Sequence, residues 1–125
     1  MSKNKTSVFV DTSFVKALFD PKDEFHDEAK EIWEKIKIKK NNLFASNFIL
    51  DEMFTLIRKR CGMKTVEKIR QDLLMTKMVE VVRVSTADEA RAWEWFLKDW
   101  SDLSFTDCVS FAVMKRLGLE KVLSF

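Results

Sequence analysis

Apolar and polar residues alternate along the chain with two periods, and the places where the period switches mark its elements. The run Ser7-Val8-Phe9-Val10 is β-branched and aromatic and stops at Asp11-Thr12-Ser13, as a buried strand does when it hands over to a helix. A short helix fits 13–19 and is ended by Asp20-Pro21. Over 24–40, apolar residues recur at Phe25, Ala29, Ile32, Trp33 and Ile36 among charges, which predicts an amphipathic second helix. Asn41-Asn42 breaks it, and Leu43-Phe44-Ala45 reads as a short central strand. Ser46-Asn47 then supplies cap chemistry for a helix over 48–60 that Gly62 closes. A further helix is predicted over 64–76, a strand over 79–84, and a helix over 86–98 opened by Thr86 with Glu89 three residues later. The helix predicted over 104–117 is closed by Gly118, and a last strand begins at 122–125.

Strands that alternate with helices imply a parallel sheet, because parallel neighbours need crossovers of a dozen or more residues. The expected fold is α/β, a three-layer α/β/α sandwich in one domain over 1–125. Composition agrees with this: 46% hydrophobic and 34% charged residues suit a folded globular chain and not a disordered one. No apolar run approaches the roughly 20 residues of a membrane helix. The N-terminus reaches Asp11 before a signal-peptide core could form, so a cytoplasmic protein is expected. Cys61 and Cys108, with the single histidine His26, lack zinc-site spacing and read as reduced structural thiols. A net charge of +2 does not by itself identify a nucleic-acid binder.

Candidate chemistry gathers at the strand-to-helix junctions, since ligands of open α/β sheets bind beyond the carboxyl ends of the strands. Asp11 follows the first strand directly, beside the hydroxyls of Thr12 and Ser13; its ordinary alternative is a helix cap. Glu52 falls by helix spacing on one face with Ile49, Met53 and Leu56, or is simply a carboxylate favoured by the helix dipole. Asp107 stands three residues after Ser104, a capping-box spacing, at the start of an apolar helix, with Asp102 nearby as an auxiliary acid. Carboxylates brought together repel unless a divalent cation holds them, and Mg²⁺ or Mn²⁺ with oxygen ligands suits phosphodiester hydrolysis. Arg58, Lys59, Arg60 and Lys64 could contact an RNA backbone, and so could Lys35, Lys37, Lys39 and Lys40; a solvated face explains either group as well. Trp93, Trp95, Phe96 and Trp100 have a spacing that fits core or subunit contact better than base stacking.

Taken as a set, V-F-V-D-T-S at 8–13, S-N-F-I-L-D-E at 46–52 and L-S-F-T-D-C-V-S-F-A-V-M at 103–114 resemble the PIN-domain family, in particular the VapC-like toxin nucleases. The resemblance spans essentially the whole chain and matches Asp11, Glu52 and Asp107 in order and context. It implies an endoribonuclease dependent on Mg²⁺ or Mn²⁺, a homodimer, and inhibition by a small antitoxin protein. It also implies that the strand at 122–125 leads into a fourth acid and one more strand. The expectation is therefore a C-terminally shortened domain, lacking the last strand, with weakened metal binding. Two rivals are a PIN-like module that binds RNA or protein without cutting, and a phosphotransferase or receiver-type domain using Asp11 as phosphoacceptor. The second fits poorly, because Ser13 stands where Asp-x-Asp would need its second acid.

Overall fold

The computed structural model describes residues 7–98 and 102–125. Four strands, β1 (Ser7–Val10), β2 (Asn42–Ser46), β3 (Val79–Val82) and β4 (Lys121–Leu123), form one sheet in the order β3-β2-β1-β4, and every pairing is parallel. In β1 the consecutive residues Val8, Phe9 and Val10 are all buried. Neighbouring side chains of a strand point to opposite faces, so both faces of the sheet are covered, as a sandwich requires. The sequence-based α/β architecture therefore stands.

The helices are α1 (Thr12–Phe19), α2 (His26–Lys39), α3 (Asn47–Cys61), α4 (Met63–Ile69), α5 (Thr86–Phe96) and α6 (Phe105–Leu117). Ile49, Met53 and Ile57 recur at helical spacing in α3 and are fully buried against the sheet, with Ile69 and Leu73 beyond them. The helix expected over 64–76 is not uniform: α4 passes at Arg70 into a wider π-type segment, Arg70–Met75. The strand expected over 79–84 stops at Val82, because the Val84 N–H donates to Asn47 Oδ1 (2.8 Å) instead of to the sheet. The α5 cap lies one residue earlier than Thr86. Ser85 has the extended backbone of an N-cap and exchanges both capping-box bonds with Asp88, not Glu89. Of the aromatic group, Trp93 and Phe96 sit exposed on α5 against Phe105, Trp95 is partly buried on the core, and Trp100 lies outside the described residues.

Asp88 also anchors α6. Arg116 Nε and Nη2 donate to its carboxylate at 2.8–3.1 Å, and Nη2 reaches the Arg83 carbonyl (3.1 Å). Asp88 is buried, and the Arg116 guanidinium beside it holds its carboxyl below the usual range against the opposing effect of burial. A depressed folded value means that the stabilisation is complete above the unfolded value of about 3.9 and is lost as pH falls through the folded one. Asp88→Asn is expected to cost about 2 kcal/mol at neutral pH, a magnitude reduced because Arg116 is partly exposed. The deficit relative to the parent should shrink below about pH 4. Urea denaturation of both proteins across pH 7 to 2 checks this, and a deficit that stays constant down to pH 2 would contradict it.

Candidate active site

Asp11 leaves β1 at the carboxyl edge of the sheet, where its N–H donates to the Leu123 carbonyl (3.0 Å). Although it occupies the N-cap position of α1, its side chain makes no capping bond. The carboxylate is used differently: Oδ2 accepts from Ser13 Oγ (3.0 Å) and from Ser124 Oγ (3.2 Å). The Phe125 N–H in turn donates to Ser13 Oγ (2.9 Å), which ties the segment after β4 to the start of α1. The helix-cap alternative for Asp11 is thus not the one realised.

Asp107 reaches the same place from the other end of the chain. Its side chain accepts from the Ser104 N–H (3.1 Å) while Ser104 Oγ accepts from the Asp107 N–H (3.1 Å), so the capping box read in the sequence is formed. Asp11 and Asp107 line one open cavity of about 380 Å³, together with Ser110, Phe111 and Ser124. Among the described residues neither carboxylate takes part in an ion pair. Ser110, a lining residue, is buried, and its Oγ is sealed from solvent with no hydrogen-bond partner within the described structure. Next to Asp107, burial pushes the Cys108 thiol up and the carboxylate adds to the shift; this buried sulfur does not line the cavity, whose polar side chains all carry oxygen. Two carboxylates with no cationic side chain among the lining residues suit a hard divalent cation that keeps several waters.

The other expected site residues lie elsewhere. Glu52 is exposed on α3 and does not line the cavity. The apolar stripe of α3 centres on Ile49, Met53 and Ile57, and at 100° per residue Glu52 falls to one side of it, so no buried carboxylate results. Among the described residues no three Asp, Glu, His or Cys side chains stand close enough to hold a metal. Thr12 is buried with Oγ1 unpartnered, and it is Ser13, one position on, that turns to Asp11. Asp102 is exposed outside the cavity. Arg58, Lys59, Arg60 and Lys64 are exposed, but α3 carries Arg58 about 18 Å along its axis from Ser46 at the sheet edge, and none of the four lines the cavity. A larger cavity, about 460 Å³, is lined by Lys37, Lys40 and Lys77 with a single acid, Glu80, and cannot gather carboxylates. Sequence reasoning did not single out Ser110 or Ser124. Their only signal is position, one helical turn after Asp107 and just past the last strand.

The PIN domain model matches residues 8–125. The chain is similar to the 23S rRNA-specific endonuclease VapC20 of Mycobacterium tuberculosis from two strains, CDC 1551 and H37Rv. It is 37% identical to each over 119 residues, covering 94% of this chain and 88% of theirs. The crystal structure of Mycobacterium tuberculosis VapC20, described as a sarcin-ricin loop cleaving toxin, superposes with a TM-score of 0.84 at 34% identity. That match covers 94% of this chain and 88% of the other.

Asp107 has a structural duty as well as a place in the cavity, and the two are separable. Asp107→Ala removes the side-chain half of the α6 capping box and is expected to cost about 1 kcal/mol in urea denaturation. Asp107→Asn keeps an oxygen for the Ser104 N–H and should lose less than half of that. Equal losses in the two variants would show that the cap is not what Asp107 contributes to stability.

Proposed function

The chain belongs to the PIN-domain family, and from that premise we propose that it is an endoribonuclease, hydrolysing RNA phosphodiesters at the Asp11 and Asp107 cavity with Mg²⁺ or Mn²⁺. The observation that carries the reading is the meeting of these two carboxylates, 96 positions apart in sequence, on one open cavity with no cationic side chain to neutralise them. Asp11 and Asp107 would hold the cation. Ser13 and Ser124 fix Oδ2 of Asp11 by donating to it, which leaves Oδ1 as the oxygen available to a ligand. The chemistry a cation would supply there is a water of lowered pKa and compensation of charge on the departing oxygen. His26, the only histidine, contacts the Ala17 carbonyl through Nδ1 (2.8 Å) away from the cavity, so proton transfer falls to the carboxylates.

The partners belonging to this reading are an RNA substrate, a small antitoxin protein and a second copy of the chain, in the cytoplasm. No helix of the described residues is long and apolar enough to cross a membrane. Exposed Trp93, Phe96 and Leu97 on and just after α5 give a protein partner apolar surface to cover. Glu52, the third expected acid, stays in the proposal as an outer carboxylate with a smaller share. Its position favours one second reading, a PIN-like module that binds RNA without cutting, because two carboxylates hold a cation less firmly than three.

Asp11→Asn and Asp107→Asn are expected to lower RNA cleavage at saturating Mn²⁺ on the order of 100-fold and to weaken Mn²⁺ binding in calorimetry, with the fold retained. Glu52→Gln should cost less than about tenfold. Unchanged Mn²⁺ affinity and cleavage in both aspartate variants would remove the cavity from the mechanism. RNA binding by the parent without any cleavage would select the non-cutting module.

A further inference from the structure

The cavity that holds Asp11 and Asp107 is also walled by exposed apolar side chains: Leu103, Phe111, Val122 and Phe125. Single exposed hydrophobics need no explanation, but several converging on two carboxylates do. Phe111 is the most telling of them. It stands one turn after Asp107 on α6, so both side chains leave the same helix face as neighbours. Its ring is 44% exposed, although Val109, Ala112 and Val113 around it in sequence are buried. A large aromatic group is therefore held at the surface beside the acidic centre by a helix that otherwise buries its apolar residues.

We propose that Phe111, with Leu103 at its edge, is a stacking platform for the unpaired base that adjoins the phosphate a cation held by Asp11 and Asp107 would engage. The inference rests on the nuclease reading of the cavity. In RNA every internal phosphate bridges two riboses, each carrying a base, so a phosphate held through a cation at the carboxylates brings a base to the adjoining wall. Beside the two serines, that wall offers no cation, only Phe111 and its apolar neighbours. Bases inside an A-form helix are stacked and present only their edges, whereas an unpaired base can lay its face on an aromatic ring. The exposed apolar group of Trp93, Phe96 and Leu97 lies outside this cavity, so a protein partner has a separate apolar surface to cover.

The test uses the full chain and a single-stranded RNA 12-mer carrying 2-aminopurine at each position in turn, with Phe111→Ala and Phe111→Trp beside the parent. Fluorescence quenching on binding reports stacking without requiring cleavage, and KM and kcat are measured separately with Mn²⁺. The expected result is quenching at one position, lost in Phe111→Ala and kept in Phe111→Trp. KM should rise about tenfold in Phe111→Ala with kcat largely retained, and the same sequence as a duplex should compete poorly. Equal quenching and KM in all three proteins would overturn the platform while leaving the nuclease reading intact. Absence of cleavage by the parent would count against the nuclease reading, and the quenching data would still decide whether Phe111 stacks a base. If Phe111→Ala leaves RNA binding unchanged but converts a dimer to monomers in sedimentation, the face is a contact between copies and the proposal is wrong.

Discussion

The carboxyl edge of this sheet is organised by the pairing of β1 with β4, two strands from opposite ends of the chain. Val8, Phe9 and Val10 lie beside Lys121, Val122 and Leu123, and the bond from the Asp11 N–H to the Leu123 carbonyl closes the pair at its working end. Because parallel strands run in one direction, this pairing delivers the residue after β1 and the residue after β4 to the same edge. Ser124 then reaches Asp11 Oδ2, and α6, which must finish where β4 begins, starts with Asp107 on the cavity. The backbone ladder is local in geometry and non-local in sequence, and the site inherits both properties.

What keeps α6 in that position is a division of labour among carboxylates. Asp88 is buried, accepts the Ser85 N–H at the α5 cap and carries a multiply bonded arginine, so its charge is used inside the protein. Asp23 and Asp20 are similarly occupied by Lys16 at the turn after α1, where the lysine holds the Asp23 carboxyl below its usual range. Asp11 and Asp107 differ in having only hydroxyl and backbone N–H partners. Hydrogen bonds of this kind orient a carboxylate without neutralising it, which leaves negative potential facing the cavity. The contrast between neutralised and merely oriented acids separates the scaffold from the site more clearly than burial does.

Apolar surface is spent unevenly around this edge. The interior of the sheet and the inner stripe of α3 are closed, with Phe9, Ile57 and Val113 wholly removed from solvent. Phe111 and Leu103 stay open on the cavity, and Trp93, Phe96 and Leu97 stay open at the end of α5. These are two patches with different surroundings. One has carboxylates in its midst and suits a small polar-linked group such as a nucleotide. The other has no acid among its aromatic contacts and suits another protein surface.

The sequence by itself determined the elements and the two acids of the cavity, because those signals are local. Periodicity located all four strands, Ser104 with Asp107 spelled the capping box, and Val10-Asp11 marked a strand ending in a carboxylate. Motif resemblance added the family, since three short segments in fixed order carry more than any one of them. Tertiary structure decided what lies across elements. Glu52 shared a plausible helix face with the core residues, yet a rotation of 100° per residue leaves its side chain outside, and only packing against the sheet shows on which side the stripe ends. The same holds for the basic run at Arg58 to Lys64, which the direction of α3 carries away from the edge. The joining of Ser124 to Asp11, and of Asp11 to the Asp107 face of α6, depends on contacts over as many as 113 residues. No period of 2 or 3.6 residues encodes such contacts, because they are set by strand order in the sheet and not by any neighbour along the chain.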